Sequence, residues 1–282
     1  MTTVRATQTV PQPSGLAGWD DVCLLDQSHR AAEHAPDLAA GWHDKWALDI
    51  TTARTVGRVP VHRVRAALFD RAQPCRTFSW RTTQRHRPGL MYMQSLGRQV
   101  GFESLQEQRL LLAVDFDGGA HDVLGQPFAL RYVDQRRWRL HVPDYLLRTD
   151  RGVVILNVRP EGLVQDDDRR NFAALDAVAA HHGWRHEVVT GWRQPALSVL
   201  DTLSAHRRPM TDPLGIRRQV LDALDRRGPQ PFAELAAATT CEAVARAFIC
   251  ALLWHRQATI DLGAPLGDAT VVHAASDRAG HR

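Results

Sequence analysis

Hydrophobic and polar positions are most clearly ordered in the middle of the chain. In ESLQEQRLLLAVD (103–115), Leu105, Leu110, Leu111 and Val114 fall on one side of a helical wheel. Ser104 with Glu107 three residues on has the form of a capping box, which predicts a helix start there and offers a purely structural reason for Glu107. QPFALRYV (126–133), rich in aromatic and β-branched residues, predicts a strand. RWRLHVPDYLLRT (137–149) and GVVILNVRP (152–160) flank Asp150-Arg151 and predict a hairpin. DRRNFAALDAVAAHHG (168–183) predicts a helix stopped by Gly183, and WRHEVVT (184–190) another strand. The order helix, three strands, helix, strand describes an α/β unit, a small mixed sheet with helices against it, and many folds share it.

The flanks are patterned differently. Residues 1–97 read as an irregular N-terminal extension, beginning with a leader that lacks the apolar run of a secretory signal. After Pro209 and Pro213, residues 211–275 form a smaller unit. Helices are expected over 214–227, 231–238 and 241–256, then two strands around a Gly/Pro turn in 257–273. Three helices followed by a hairpin is the winged-helix order, and such a domain docks on either DNA or a partner protein.

Composition changes this picture in three respects. No run approaches the roughly 18–20 apolar residues that span a bilayer. The four cysteines (Cys23, Cys75, Cys241, Cys250) form no CxxC pair, so they suggest neither a zinc site nor a disulfide framework and point to a reducing cytoplasm. The net charge is +4, but between Arg54 and Arg98 ten arginines face a single acid, Asp70, with Phe69, Phe78, Trp80 and Tyr92 among them. Such a stretch is either a solvated surface or a contact for a phosphate backbone, with Arg76, Arg81, Arg85 and Arg87 as the candidates. Lys45 is the only lysine in the chain, so arginine stands wherever a cation is needed.

The hairpin brings chemistry together. With a two-residue turn, Thr149 faces Gly152 and Asp144 faces Asn157, with Arg159 two residues further along the same face. A one-residue slip would separate them. An acid, an amide and a cation amid Val153, Val154, Ile155, Leu156 and Val158 need partners, since buried polar groups are costly alone. An Asp144–Arg159 ion pair is one explanation and a ligand is the other. His141 is expected on the opposite strand face from Asp144.

Pro143-Asp144, followed by Asn157-Val158-Arg159-Pro160, resembles the core of PD-(D/E)xK nucleases. Together with E-S-L-Q-E at 103–107, Q-P-F at 126–128 and V-P-D-Y-L-L at 142–147, it most resembles TnsA-like endonuclease subunits of heteromeric transposases. C-R-T-F-S-W-R-T-T-Q-R-H at 75–86 and G-R-Q-V-G-F-E-S at 97–104 extend the resemblance to about residues 75–200.

The resemblance implies a restriction-endonuclease-like core over 98–205, in a DNA endonuclease that hydrolyses phosphodiesters at transposon 5′ ends. Glu107, Asp144, Asn157 and Arg159 would be the catalytic set, with Glu103 a fallback for Glu107. Glu107, Asp144 and the Val158 backbone carbonyl would hold Mg²⁺ or Mn²⁺. Implied partners are double-stranded DNA of the transposon ends, an integrase-type TnsB-like transposase and an ATPase regulator, with no membrane, in the cytoplasm at the nucleoid. Asn157 departs from the family's acid or glutamine and Arg159 from its lysine, so a catalytically degenerate bridging subunit is an alternative. A stand-alone restriction or repair nuclease is a second.

Overall fold

The computed structural model describes residues 14–15, 17–76 and 88–275. The chain forms two compact units, Cys23–Gly191 and a second made of Met1–Val22 with Trp192–Arg282. A single helical turn, α1 (Trp19–Val22), belongs to the second unit.

The larger unit is a mixed α/β structure. Its first part contains β1 (Cys23–Asp26), α2 (Trp42–Lys45), β2 (Ala47–Thr52), β3 (Val56–Pro60), β4 (Ala72–Gln73), β5 (Gly89–Met93) and β6 (Arg98–Phe102). α3 (Leu105–Asp117), β7 (Ala120–Gly125), β8 (Ala129–Asp134), β9 (Arg137–His141) and β10 (Tyr145–Thr149) follow. It closes with β11 (Gly152–Val158), α4 (Asp166–His182) and β12 (Arg185–Trp192).

The hairpin β10–β11 has the expected register, Thr149 opposite Gly152 and Tyr145 opposite Leu156. It sits in a five-stranded sheet of order β1-β12-β11-β10-β7. β10 is antiparallel to both neighbours, and β11 runs parallel to β12. Val153–Leu156 are all buried, the continuous apolar run of a strand covered on both faces, and the polar Asn157 after them is buried too. A second sheet has the order β3-β2-β8-β9, with β4 also on β2. Leu146, Val153 and Ile155 of the first sheet share one core cluster with Leu48, Leu130 and Tyr132 of the second and with Ala174, Leu175 and Val178 of α4.

Two strands differ from expectation. The segment 137–149 is not one strand: β9 ends at His141, β10 begins at Tyr145, and the two lie in different sheets. Pro143, which has no N–H to give a ladder, lies in the break. QPFALRYV starts its strand only at Ala129, because Gln126 adopts a left-handed conformation (φ 48). The helices match more closely. Ser104 caps α3, its hydroxyl accepting the Glu107 N–H, and Gly118 ends it in the left-handed region (φ 66).

Residues 23–97, expected as an irregular extension, instead supply β1 to the first sheet and most of the second. The second unit contains α5 (Ala196–Ser204), α6 (Ile216–Arg227), β13 (Gln230–Pro231), α7 (Phe232–Ala237), α8 (Glu242–Trp254), β14 (Ala258–Thr259) and β15 (Val271–Ala274). Val220, Leu224, Leu235, Ile249 and Leu253 are buried there. Its strands pair antiparallel in the order β13-β15-β14. Among the described residues no helix is long and apolar enough to cross a membrane.

Candidate active site

Glu107 lies in the first turn of α3, where two donors hold its carboxylate. The Glu103 N–H donates to Oε2 at 2.9 Å and the Ser104 hydroxyl to Oε1 at 2.9 Å, while the Tyr145 hydroxyl, 2.9 Å from Gly101 O, also lies 3.3 Å from Oε2. The capping arrangement is therefore real, and it also fixes the direction of the carboxylate. Glu103, the alternative acid, instead pairs with Arg76 at 2.8 Å.

Asp144 sits in the break between β9 and β10. Its N–H donates to Leu156 O (3.1 Å), its carbonyl accepts Gln126 N–H (2.7 Å), and its Oδ2 accepts Val158 N–H (2.7 Å). The backbone on either side thus fixes the carboxylate at the end of β11. Val158 meets Asp144 through its N–H.

Glu107 and Asp144 line one cavity of about 490 Å³, together with Tyr145, Gln126, Arg98 and Asp122. Both carboxyls are disfavoured as anions there. Burial, and then the neighbouring Glu107, push Asp144 up to about 7, although the Val158 N–H and the charge of Arg76 act the other way. Burial likewise raises Glu107, against the hydrogen bonds of the Glu103 N–H and the Ser104 hydroxyl. A buried Glu107 and a half-buried Asp144 on one cavity wall are a poor pair of free anions. They suit a hard divalent cation, which prefers carboxylate oxygen and neutralises both. The residues present fit Mg²⁺ or Mn²⁺.

The other two expected members lie elsewhere. Asn157 is 3% exposed, and its amide lies between two imidazoles, 3.2 Å from His141 Nε2 and 3.1 Å from His186 Nε2. His186 Nδ1 in turn meets Asp176 Oδ1 at 2.7 Å, while Arg30 Nε and His29 Nε2 each lie 3.0 Å from Asp176 Oδ2. A neutral His186 that donates Nδ1–H to Asp176 needs a donor at Nε2. The structure sets the Asn157 Nδ2 against His141 Nε2 and its Oδ1 against His186 Nε2; an amide turned the other way gives a neutral His186 the donor it needs. Burial lowers His186 and pushes His141 down to about 4, so both rings are neutral at pH 7. Burial would raise Asp176, but the hydrogen bonds from His186 and His29 outweigh it and hold that carboxyl well below its ordinary range.

Asn157 thus belongs to a polar chain on the α4 side of β11, where Val153 and Ile155 also face. It follows their alternation, whereas Asp144 lies outside any strand and need not. Arg159 Nε reaches Asp168 Oδ2 and Leu163 O, each at 3.2 Å, so neither the expected Asp144–Arg159 pair nor a fourfold convergence with Glu107 is formed. Arg81, Arg85 and Arg87 lie outside the described residues.

No protein-family model matches this chain, and no curated protein matches it either. The site's chemistry therefore rests on its own geometry.

Two groups missed in the sequence have donor atoms within 4.8 Å of one another, His29–Asp176–His186 and His43–Asp44–His62. The first is occupied by its own hydrogen bonds and by Arg30. His141 lies away from Asp144, as expected, but it joins the Asn157 chain, which alternation along one strand does not show. Pro143 was the signal that alternation stops there.

Proposed function

We propose that this protein is a metal-dependent DNA endonuclease, the TnsA-like strand-cutting subunit of a heteromeric transposase, hydrolysing phosphodiesters at transposon 5′ ends. The observation that carries this reading is the pair of desolvated carboxylates, Glu107 and Asp144, sharing one cavity at the end of the β10–β11 hairpin. The resemblance of residues 75–200 to that group gives the pair its substrate and its partners. These are double-stranded end DNA, an integrase-type transposase and an ATPase regulator, and the restriction-endonuclease-like core would be followed by a winged-helix-like domain.

Glu107 and Asp144 would hold Mg²⁺ or Mn²⁺, which when bound lowers the pKa of water and offsets charge on the phosphate. The Ser104 hydroxyl orients Glu107, and the Val158 N–H orients Asp144. Cleavage is expected to leave 5′-phosphate and 3′-hydroxyl ends.

A second reading, a non-catalytic DNA-bridging subunit, is favoured by the engagement of Asn157 and Arg159 with other partners. Reconstitution with the partner transposase on end-bearing DNA separates the two. The endonuclease reading expects Mg²⁺- or Mn²⁺-dependent 5′-end nicking that Asp144→Ala lowers at least about 100-fold, the scale of losing one transition-state stabilising group. DNA or partner binding with no metal-dependent cleavage would establish the bridging subunit instead. Cleavage without a partner would point to a stand-alone nuclease.

A further inference from the structure

We infer that Arg76, and not Arg159, supplies the positive charge that meets the scissile phosphate at the Glu107–Asp144 site; the inference rests on the endonuclease reading above. Short links place Arg76 beside both acidic residues, without direct contact to either carboxylate. On one side, the neighbouring Cys75 N–H donates to Gln126 O at 2.9 Å, and the Gln126 N–H donates to Asp144 O at 2.7 Å. On the other, Arg76 Nη2 pairs at 2.8 Å with Glu103, whose own N–H donates to Glu107 at 2.9 Å. Ala72, Gln73 and Pro74, just before Arg76 in the chain, line the cavity wall.

Among the described residues, the other candidate cations have partners away from the two carboxylates. Arg159 is held by Asp168 and by Leu163 O at the start of α4. Arg98 lines the cavity, but its guanidinium is bound to both Asp122 and Val123 O. Arg76 is held by one carboxylate in a pair whose side chains are 51% and 34% exposed. Such exposed pairs contribute little to stability, so a phosphate can replace Glu103 at little cost. A guanidinium grips phosphate oxygens in two-point fashion and stays charged at any working pH. Its role is therefore to stabilise charge on the phosphate, and it does not accept a proton. Of the cations, Arg76 is also the one whose charge acts foremost on Asp144.

The test uses the full-length protein with its partner transposase on end-bearing DNA, measuring single-turnover cleavage and DNA affinity separately for Arg76→Gln, Arg76→Lys and Arg159→Gln. Expected is a fall of about 100-fold or more in the cleavage rate for Arg76→Gln, the scale of a lost transition-state donor. Affinity should change less than about tenfold, and Arg76→Lys should recover part of the rate. Arg159→Gln should stay within a few-fold of wild type. Cleavage that survives Arg76→Gln and is lost in Arg159→Gln overturns this inference alone. A wild-type protein that cleaves with neither Mg²⁺ nor Mn²⁺ overturns the endonuclease reading and this inference with it.

Discussion

Asp144→Asn will stabilise the metal-free protein at pH 8 while abolishing its stabilisation by Mg²⁺ or Mn²⁺. Burial and Glu107 lift Asp144 from its ordinary 3.8 to about 7 in the folded state. A carboxyl raised in this way stabilises the fold fully below its unfolded value. That contribution fades as pH climbs from about 4 through about 7, because the unfolded chain ionises without penalty and the folded one does not. At about 1.4 kcal/mol per pH unit, ionised Asp144 costs the metal-free fold several kcal/mol above neutrality. Asparagine keeps an oxygen for the Val158 N–H and carries no charge. At about 2–4 °C per kcal/mol for a domain of this size, the melting temperature of the variant should exceed wild type by 5 °C or more, on the order of what that cost predicts. Added metal should raise wild type, by about 2.7 kcal/mol at a hundred times its Kd, and leave the variant unmoved. Thermal unfolding at pH 5 and pH 8 checks both statements. Equal stability of the two proteins across that range would mean Asp144 is not desolvated beside Glu107.

The second large effect is an acid weakness set by the polar chain on the other face of the hairpin. His141 is held down to about 4 by burial, from an ordinary 6.5. A histidine lowered on folding adds stability that is complete above 6.5 and is lost as pH falls toward 4. By the same conversion this amounts to about 3 kcal/mol. Asp176, held low by His186 and His29, extends the loss to still lower pH as it becomes protonated. Urea unfolding at pH 7 and pH 4.5 should therefore show a steep decline for wild type and a shallower one for His141→Gln. Asn157→Ala should cost about 1–3 kcal/mol at pH 7, the penalty of leaving buried polar partners unmade, since both His141 and His186 lose the amide. An Asn157→Ala protein as stable as wild type would show that the chain does not hold the fold.

The parts legible in the sequence are those decided locally. Thr149 and Gly152 set the hairpin register because a two-residue turn leaves one way to pair the strands. Ser104 and Glu107 marked the start of α3, and the three helices and two of the three strands after Pro213 followed from periodicity and breakers. The failures were non-local. Alternation holds only within one continuous strand and stops at Pro143, so facing Asn157 across the hairpin does not give Asp144 a common purpose with it. Asn157 is claimed by His186, which reaches it from β12, and by His141 from another sheet. β7 was missed because Gly118 and Gly119 precede a short, mixed AHDVLG. The strands among residues 23–97 carry charges and threonines, and their pairing with β8 is visible only in three dimensions.

Mn²⁺ binding to the full-length protein, read by calorimetry or electron paramagnetic resonance, tests the account most directly. One ion per chain should bind, and both Glu107→Gln and Asp144→Asn should abolish that binding, while Asn157→Ala leaves it intact. Undiminished Mn²⁺ binding in the two carboxylate variants would contradict a metal held between Glu107 and Asp144.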